Sequence, residues 1–176
     1  MNRHDGSARP AATKRTVTVY VHNAHVNSAS EEDTMTASDL NAILERYAIK
    51  RGALLSNLAD ADRRVVLCLA ARVLRDDAVL PESEINLLLD DWLADEGAGL
   101  HIDRAELRRT LIDAGLWQRD AYGREYRRAA VADAALADCL QQLAQLDAGA
   151  VIRAARAAHA ASRAERARQH AQRQTS

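Results

Sequence analysis

A chain of 176 residues is long enough for one sizeable core and short of two full domains. Hydrophobic residues make up 48%, but aromatics are only 3% and Phe is absent, so Leu, Val and Ile must build the core. The net charge of -1 excludes a uniformly basic nucleic-acid coat, yet it hides a segregation: residues 1–30 carry four basic groups against one acid, 31–100 seven against fifteen, and 101–176 thirteen against nine, giving +3, -8 and +4. An acidic middle with basic flanks fits a protein that offers a polyanion one face only, or a solvated surface of uneven charge.

The N-terminus reads MNRHDGSARPAATK, polar and rich in small residues, and residues 1–14 are expected to form a disordered arm. It lacks an apolar signal core, and no run in the chain approaches 18 apolar residues, so a cytoplasmic protein without a membrane contact is expected. Residues 15–59 should hold a strand and a helix that pack on the main domain. RTVTVYVHNAHV alternates Val17, Val19 and Val21 with Thr16, Thr18 and Tyr20, the period of a half-buried strand. His22 and His25 lie in it, but on a strand they point to opposite faces and no cysteine or carboxylate cluster joins them, so no metal site is assigned. From Thr36 or Ser38 as cap, Leu40, Ile43, Leu44 and Tyr47 recur at helical spacing, and Lys50-Arg51-Gly52 is a stop signal.

Residues 60–129 carry the main domain. A helix is expected from about 60 to 74 with Val65, Val66, Leu69 and Val73 on one face. Cys68 in it and the distant Cys139 both sit among aliphatic neighbours, the setting of buried free thiols. A single strand at Ala78–Leu80 precedes a third helix, entered at Pro81 or Ser83, that shows Ile85, Leu88, Leu89 and Trp92 on one face. Trp92 and Trp117 are the large side chains a core of this composition needs. After DEGAGLHI, Asp103 and Glu106 have capping-box spacing, Leu107, Leu111 and Ala114 form a buried stripe, and Gly115 ends the helix. LWQRD and REYRRA then read as two strands around Ala121-Tyr122-Gly123, with Gly123 supplying the positive φ of a tight hairpin. Three helices followed by a hairpin is the layout of a winged helix-turn-helix, so the fold class is mainly α with a small β hairpin and a C-terminal helical extension. That extension comprises a helix over 130–148 bearing Leu136, Leu140, Leu143 and Leu146, and a basic Ala/Arg-rich helical tail over 149–176 with no large apolar residue after Ile152.

Residues 63–128 resemble an uncharacterised bacterial family, the domain of unknown function two-zero-eight-seven, often appended to ArsR-type transcription regulators. The resemblance rests on RRVVLCLA at 63–70, ESEIN at 82–86 and LRRTLIDAGLWQRDAYGREYRR at 107–128, where Asp103, Leu107, Arg108, Arg109, Leu111, Ile112, Asp113, Gly115, Leu116, Arg119, Gly123 and Tyr126 carry the pattern. Trp117 and the long DEGAGLHI connection depart from it. The resemblance implies a fold and a regulatory neighbourhood, with no active site.

The candidate chemistry is nucleic-acid contact: Arg104, Arg108 and Arg109 on the helix for base edges, and Arg119, Tyr122, Arg124, Arg127 and Arg128 on the hairpin for phosphates. Against it stand Asp103, Glu106, Asp113, Asp120 and Glu125, which lower the charge of this stretch to 7 minus 5 and allow a surface merely braced by local ion pairs. The Asp76-Asp77 and Asp90-Asp91 pairs do not read as acid and base, and no Gly-rich phosphate loop or CxxC occurs. No enzyme and no cofactor are expected. Two readings follow: a regulator that binds DNA, or an interaction or dimerisation module whose 130–147 helix meets a partner or a second copy.

Overall fold

The computed structural model describes residues 35–174, so the expected arm, the strand over 16–26 and both its histidines lie outside the described residues. Helix α1 spans Ala37–Ala48, and Thr36 closes its N-terminus with a complete capping box, its hydroxyl accepting from the Asp39 amide while the Asp39 carboxylate accepts from the Thr36 amide. Those bonds hold the Asp39 carboxyl below its ordinary range, the Thr36 side chain contributing most. Leu40, Ile43, Leu44, Tyr47 and Ala48 form the buried face. A 3-10 turn at Leu55–Asn57 leads into α2, Asp60–Ala71.

Helix α2 is the centre of the molecule. Every residue from Val65 to Ala71 is buried, which a one-faced amphipathic helix does not achieve; α1 packs on one side of it and α5 (Ala134–Ala144) on another. Its one buried charge, Asp62, is 5% exposed and pairs with Arg46 of α1 at 2.5 Å. The helix is shorter than its periodicity implied, ending in turns at Arg72–Leu74. Strand β1, Leu80–Pro81, comes next, with Pro81 also the N-cap of α3, Glu82–Ala94. Helix α4, Arg104–Asp113, starts at Asp103, whose carboxylate accepts from the Glu106 amide.

The end of α4 shows why Gly115 is there. The Gly115 amide donates to Ile112 and the Leu116 amide to Leu111, a Schellman closure that needs the φ of +70° found at Gly115. The chain is thereby turned into β2, Trp117–Arg119, and returns through Gly123, also at +70°, into β3, Glu125–Arg128. The β1 pairing completes a three-stranded antiparallel sheet in the order β1-β3-β2, with Leu80 opposite Tyr126 and Trp117 opposite Arg128. The architecture is thus mainly helical with one small sheet. Trp117 lies in the core and donates its indole N–H to the Ala71 carbonyl at 3.0 Å. Leu107, Leu111, Leu116 and Val66 are buried in that same core.

Helix α5 turns its leucines inward: Leu143 and Cys139 are buried, and Leu136 and Leu140 pack against the core, as does Leu146 just beyond the helix. The final helix, α6, runs from Ala148 to Gln174 and is not merely a tail. Its first turns lie along α1, with Gly149 and Ile152 buried and Val151 and Ala155 against the core. Arg156 anchors it further, its guanidinium donating to the carbonyls of Ala48 (3.3 Å) and Glu96 (3.2 Å) and pairing with Asp95 (3.4 Å). Glu96 is a hub for three helices, because its carbonyl also accepts from Tyr47 and its carboxylate from the Trp92 indole. Burial pushes the Tyr47 hydroxyl far above its ordinary pKa. Residues 160–174 are exposed throughout.

Candidate nucleic-acid interface

Helix α4 packs on α3 through Leu107 and Leu111, which leaves its arginines around the rim of that contact. Arg104 pairs with Asp90 of α3. Arg108 lies deeper, its side chain only 17% exposed, bound to Glu82 at 3.0 Å and donating to Asn86. Its guanidinium sits over the Tyr126 ring, 5.5 Å from the centroid, and the Tyr126 hydroxyl donates to the other Glu82 oxygen at 3.2 Å. One polar cluster therefore ties α3, α4 and β3 together, and Arg108 braces the helix. Arg109 is exposed, and its side chain makes no hydrogen bond or ion pair among the described residues.

On the hairpin, the Asp120 carboxylate closes the turn by accepting from the amides of Arg124 (2.6 Å) and Glu125 (3.3 Å). Partial desolvation pushes the Asp120 carboxyl up, but these amides and the Arg124 charge together hold it below its ordinary value. At the tip, Tyr122 is 79% exposed and carries the Arg124 guanidinium over its ring at 4.6 Å. Arg128 turns inward beside Trp117 and pairs with Asp76 at 2.7 Å. Arg127 and Arg119 remain exposed, the latter lying across Gly123.

Of the seven arginines singled out from the sequence, Arg104, Arg108, Arg124 and Arg128 are thus held by carboxylates, while Arg109, Arg119 and Arg127 face solvent without an ion pair among the described residues. The pairing is real but its partners are mostly not local. Only Asp120 belongs to the 103–128 stretch; Glu82 and Asp90 come from α3 and Asp76 from the loop before β1. The missed signal was present: Glu82, Asn86 and Asp90 recur at four-residue spacing, one stripe of α3, and meet Arg108 and Arg104 in antiparallel order. The paired aspartates Asp76, Asp77 and Asp90 are engaged with Arg128, Arg75 and Arg104.

Cys68 and Cys139 are buried, unbonded thiols at the α2–α5 contact, with the Cys68 Sγ 3.7 Å from the Leu136 carbonyl, one turn before Cys139. The neighbouring Cys139 thiol and burial together push the Cys68 thiol far above the ordinary range. No helix among the described residues is long and apolar enough to cross a membrane.

Residues 58–128 match the model of a family described as an uncharacterized protein conserved in bacteria (DUF2087), which bears out the resemblance read over residues 63–128. The match starts two residues before α2 and stops at the last residue of β3. No curated protein matches the chain, and no solved structure does.

Proposed function

We propose that the family-matched segment is a winged-helix module and that the protein is a non-enzymatic, cytoplasmic regulatory protein that binds DNA with α4 and the β2–β3 hairpin side by side. The observation that carries this reading is the chain order α2-β1-α3-α4-β2-β3 combined with the strand order β1-β3-β2, which sets an arginine-bearing second helix next to an arginine-bearing wing. In this reading α4 offers Arg104 and Arg109 to a groove. Arg119 and Arg127, with Arg124 and Tyr122 at the tip, meet phosphates. Arg108 acts by positioning α4.

Less supports the alternative, a partner docked on the 130–147 helix, because Leu143 is buried in this chain's own core and Leu136, Leu140 and Leu146 are partly buried against it. DNA binding is tested by fluorescence anisotropy of a labelled duplex pool across a salt series. Arg119, Arg124 and Arg127 neutralising three phosphates predict a slope of log affinity against log salt of about -2.7. Replacing these three together by Ala should flatten most of it. A protein that binds no duplex at low salt, or a triple variant with an unchanged slope, sinks the reading.

A further inference from the structure

Away from the proposed DNA surface, the C-terminal end of α1, the 98–99 loop and one face of α6 enclose a cleft of about 380 Å³. Its charged lining is all of one sign, Lys50, Arg51, Arg156 and Arg163, with His159 beside them and no carboxylate among the lining residues. Arg156 is already engaged by Asp95 and two carbonyls. The side chains of Lys50, Arg51, His159 and Arg163 make no hydrogen bond or ion pair among the described residues, and His159 and Arg163 stand one turn apart on the same face of α6.

Such an arrangement has a bland explanation, that cations gather at the negative end of α1. It accounts for one or two of them at most. The Ala48 carbonyl is already bound by Arg156 and the Tyr47 carbonyl by the Lys50 amide, and neither His159 nor Arg163 belongs to α1. The backbone also holds the cleft closely: a Cβ on Gly99 would stand 2.8 Å from the Lys50 carbonyl, so the 98–99 loop lies directly against the Lys50-Arg51 corner.

We propose that this cleft is a binding site for a phosphate-bearing anion with two or more phosphate groups. Guanidinium forks match phosphate oxygens two at a time, and several convergent cations favour a multiply charged ligand over a single carboxylate. The volume lies at the low end of small-ligand pockets, which suits a free phosphorylated molecule better than the rim of a duplex. The same chemistry is present in a nucleic-acid backbone, and the test separates the two sources.

The probe is inorganic diphosphate, added to the full-length protein at ionic strength matched with sodium chloride and followed by backbone amide chemical shifts. Shifts should concentrate at Ile49, Gly99 and His159. Lys50→Ala and Arg163→Ala, both at surface positions, should each weaken binding roughly tenfold or more while leaving the melting temperature within a degree or so of the parent. Diphosphate that produces no saturable shift at these amides, or binds both variants as tightly as the parent, overturns the proposal, as does a response confined to α4 and the hairpin. If the site responds and an added duplex displaces diphosphate from it, the anion is a nucleic-acid phosphate; if a duplex leaves those shifts in place, the site serves a free phosphorylated ligand.

Discussion

Arg108 is where a base-reading role and a structural role make opposite predictions. Replacing it by Ala removes an ion pair to Glu82 at 3.0 Å, a hydrogen bond to Asn86 and the stacking over Tyr126. A buried hydrogen bond to a charged group contributes about 1.5–3 kcal/mol, but Glu82 is 45% exposed, so each of the two polar contacts is discounted to about 1 kcal/mol. The cation–π contact adds about 0.5 kcal/mol. The expected loss is therefore about 2–2.5 kcal/mol, which lowers the melting temperature by roughly 4–10 °C for a chain of this length. Arg108→Lys keeps the charge and loses the planar fork, so it should fall between the two. Urea unfolding followed by circular dichroism reads the change as a shift in midpoint at constant slope. A variant as stable as the parent would refute the bracing role, and if that same variant lost its preference among duplexes, Arg108 would be a reader of bases after all.

Two more outcomes follow from the geometry. The carboxyls of Asp39 and Asp103, chiefly through hydrogen bonds at the starts of α1 and α4, and that of Asp120, through the hairpin turn, sit below their ordinary value in the folded chain. Their contribution is fully present above about pH 4, the unfolded carboxylate range, and is lost as pH falls through the depressed folded values. Urea midpoints measured from pH 7 down to pH 3 should drop at the acid end, and Asp103→Asn, which keeps a capping side chain but cannot titrate, should show a shallower drop; identical profiles would remove Asp103 from the account. Separately, Gly97→Ala would place a Cβ 2.5 Å from Trp92 Cζ3 and 3.1 Å from the Leu93 Cα, forcing the ring off its site and away from Glu96. Overpacking of this kind costs about 1–3 kcal/mol, and an unshifted tryptophan emission together with parental stability would contradict it.

The features legible in the sequence are those encoded within a few residues. The Asp103 cap, the Leu107/Leu111 stripe, the turn out of α4 at Gly115 and the hairpin around Gly123 each depend on local backbone or side-chain chemistry and each lies where that chemistry placed it, while at α1 the choice between Thr36 and Ser38 falls on Thr36. What was not legible depends on what a segment packs against. Val65, Val66 and Leu69 marked one face of α2, but nothing local says that Leu67, Cys68, Ala70 and Ala71 are buried as well, since that follows from α1 and α5 arriving on other sides. Arg156 lies within the alanine- and arginine-rich stretch that reads as a tail, yet its carbonyl partners come from 48 and 96, sixty and more residues earlier. The arginines divide the same way, because which of them are free was decided by an acidic stripe on a different helix.

The burial of α2 all round from Val65 to Ala71 bears on where this segment can be cut. A fragment trimmed to residues 58–128 would keep α3, α4 and the sheet but strip away α1 and α5, baring the flanks of a helix on which Cys68, Leu69, Ala70 and their neighbours have no polar side to turn outward. The segment is thus a recognisable unit of sequence without being a transplantable unit of folding. Any protein that carries it beside different neighbours must bring apolar helices of its own to clothe those flanks, and an expression fragment ending at the family boundary should be expected to associate or precipitate.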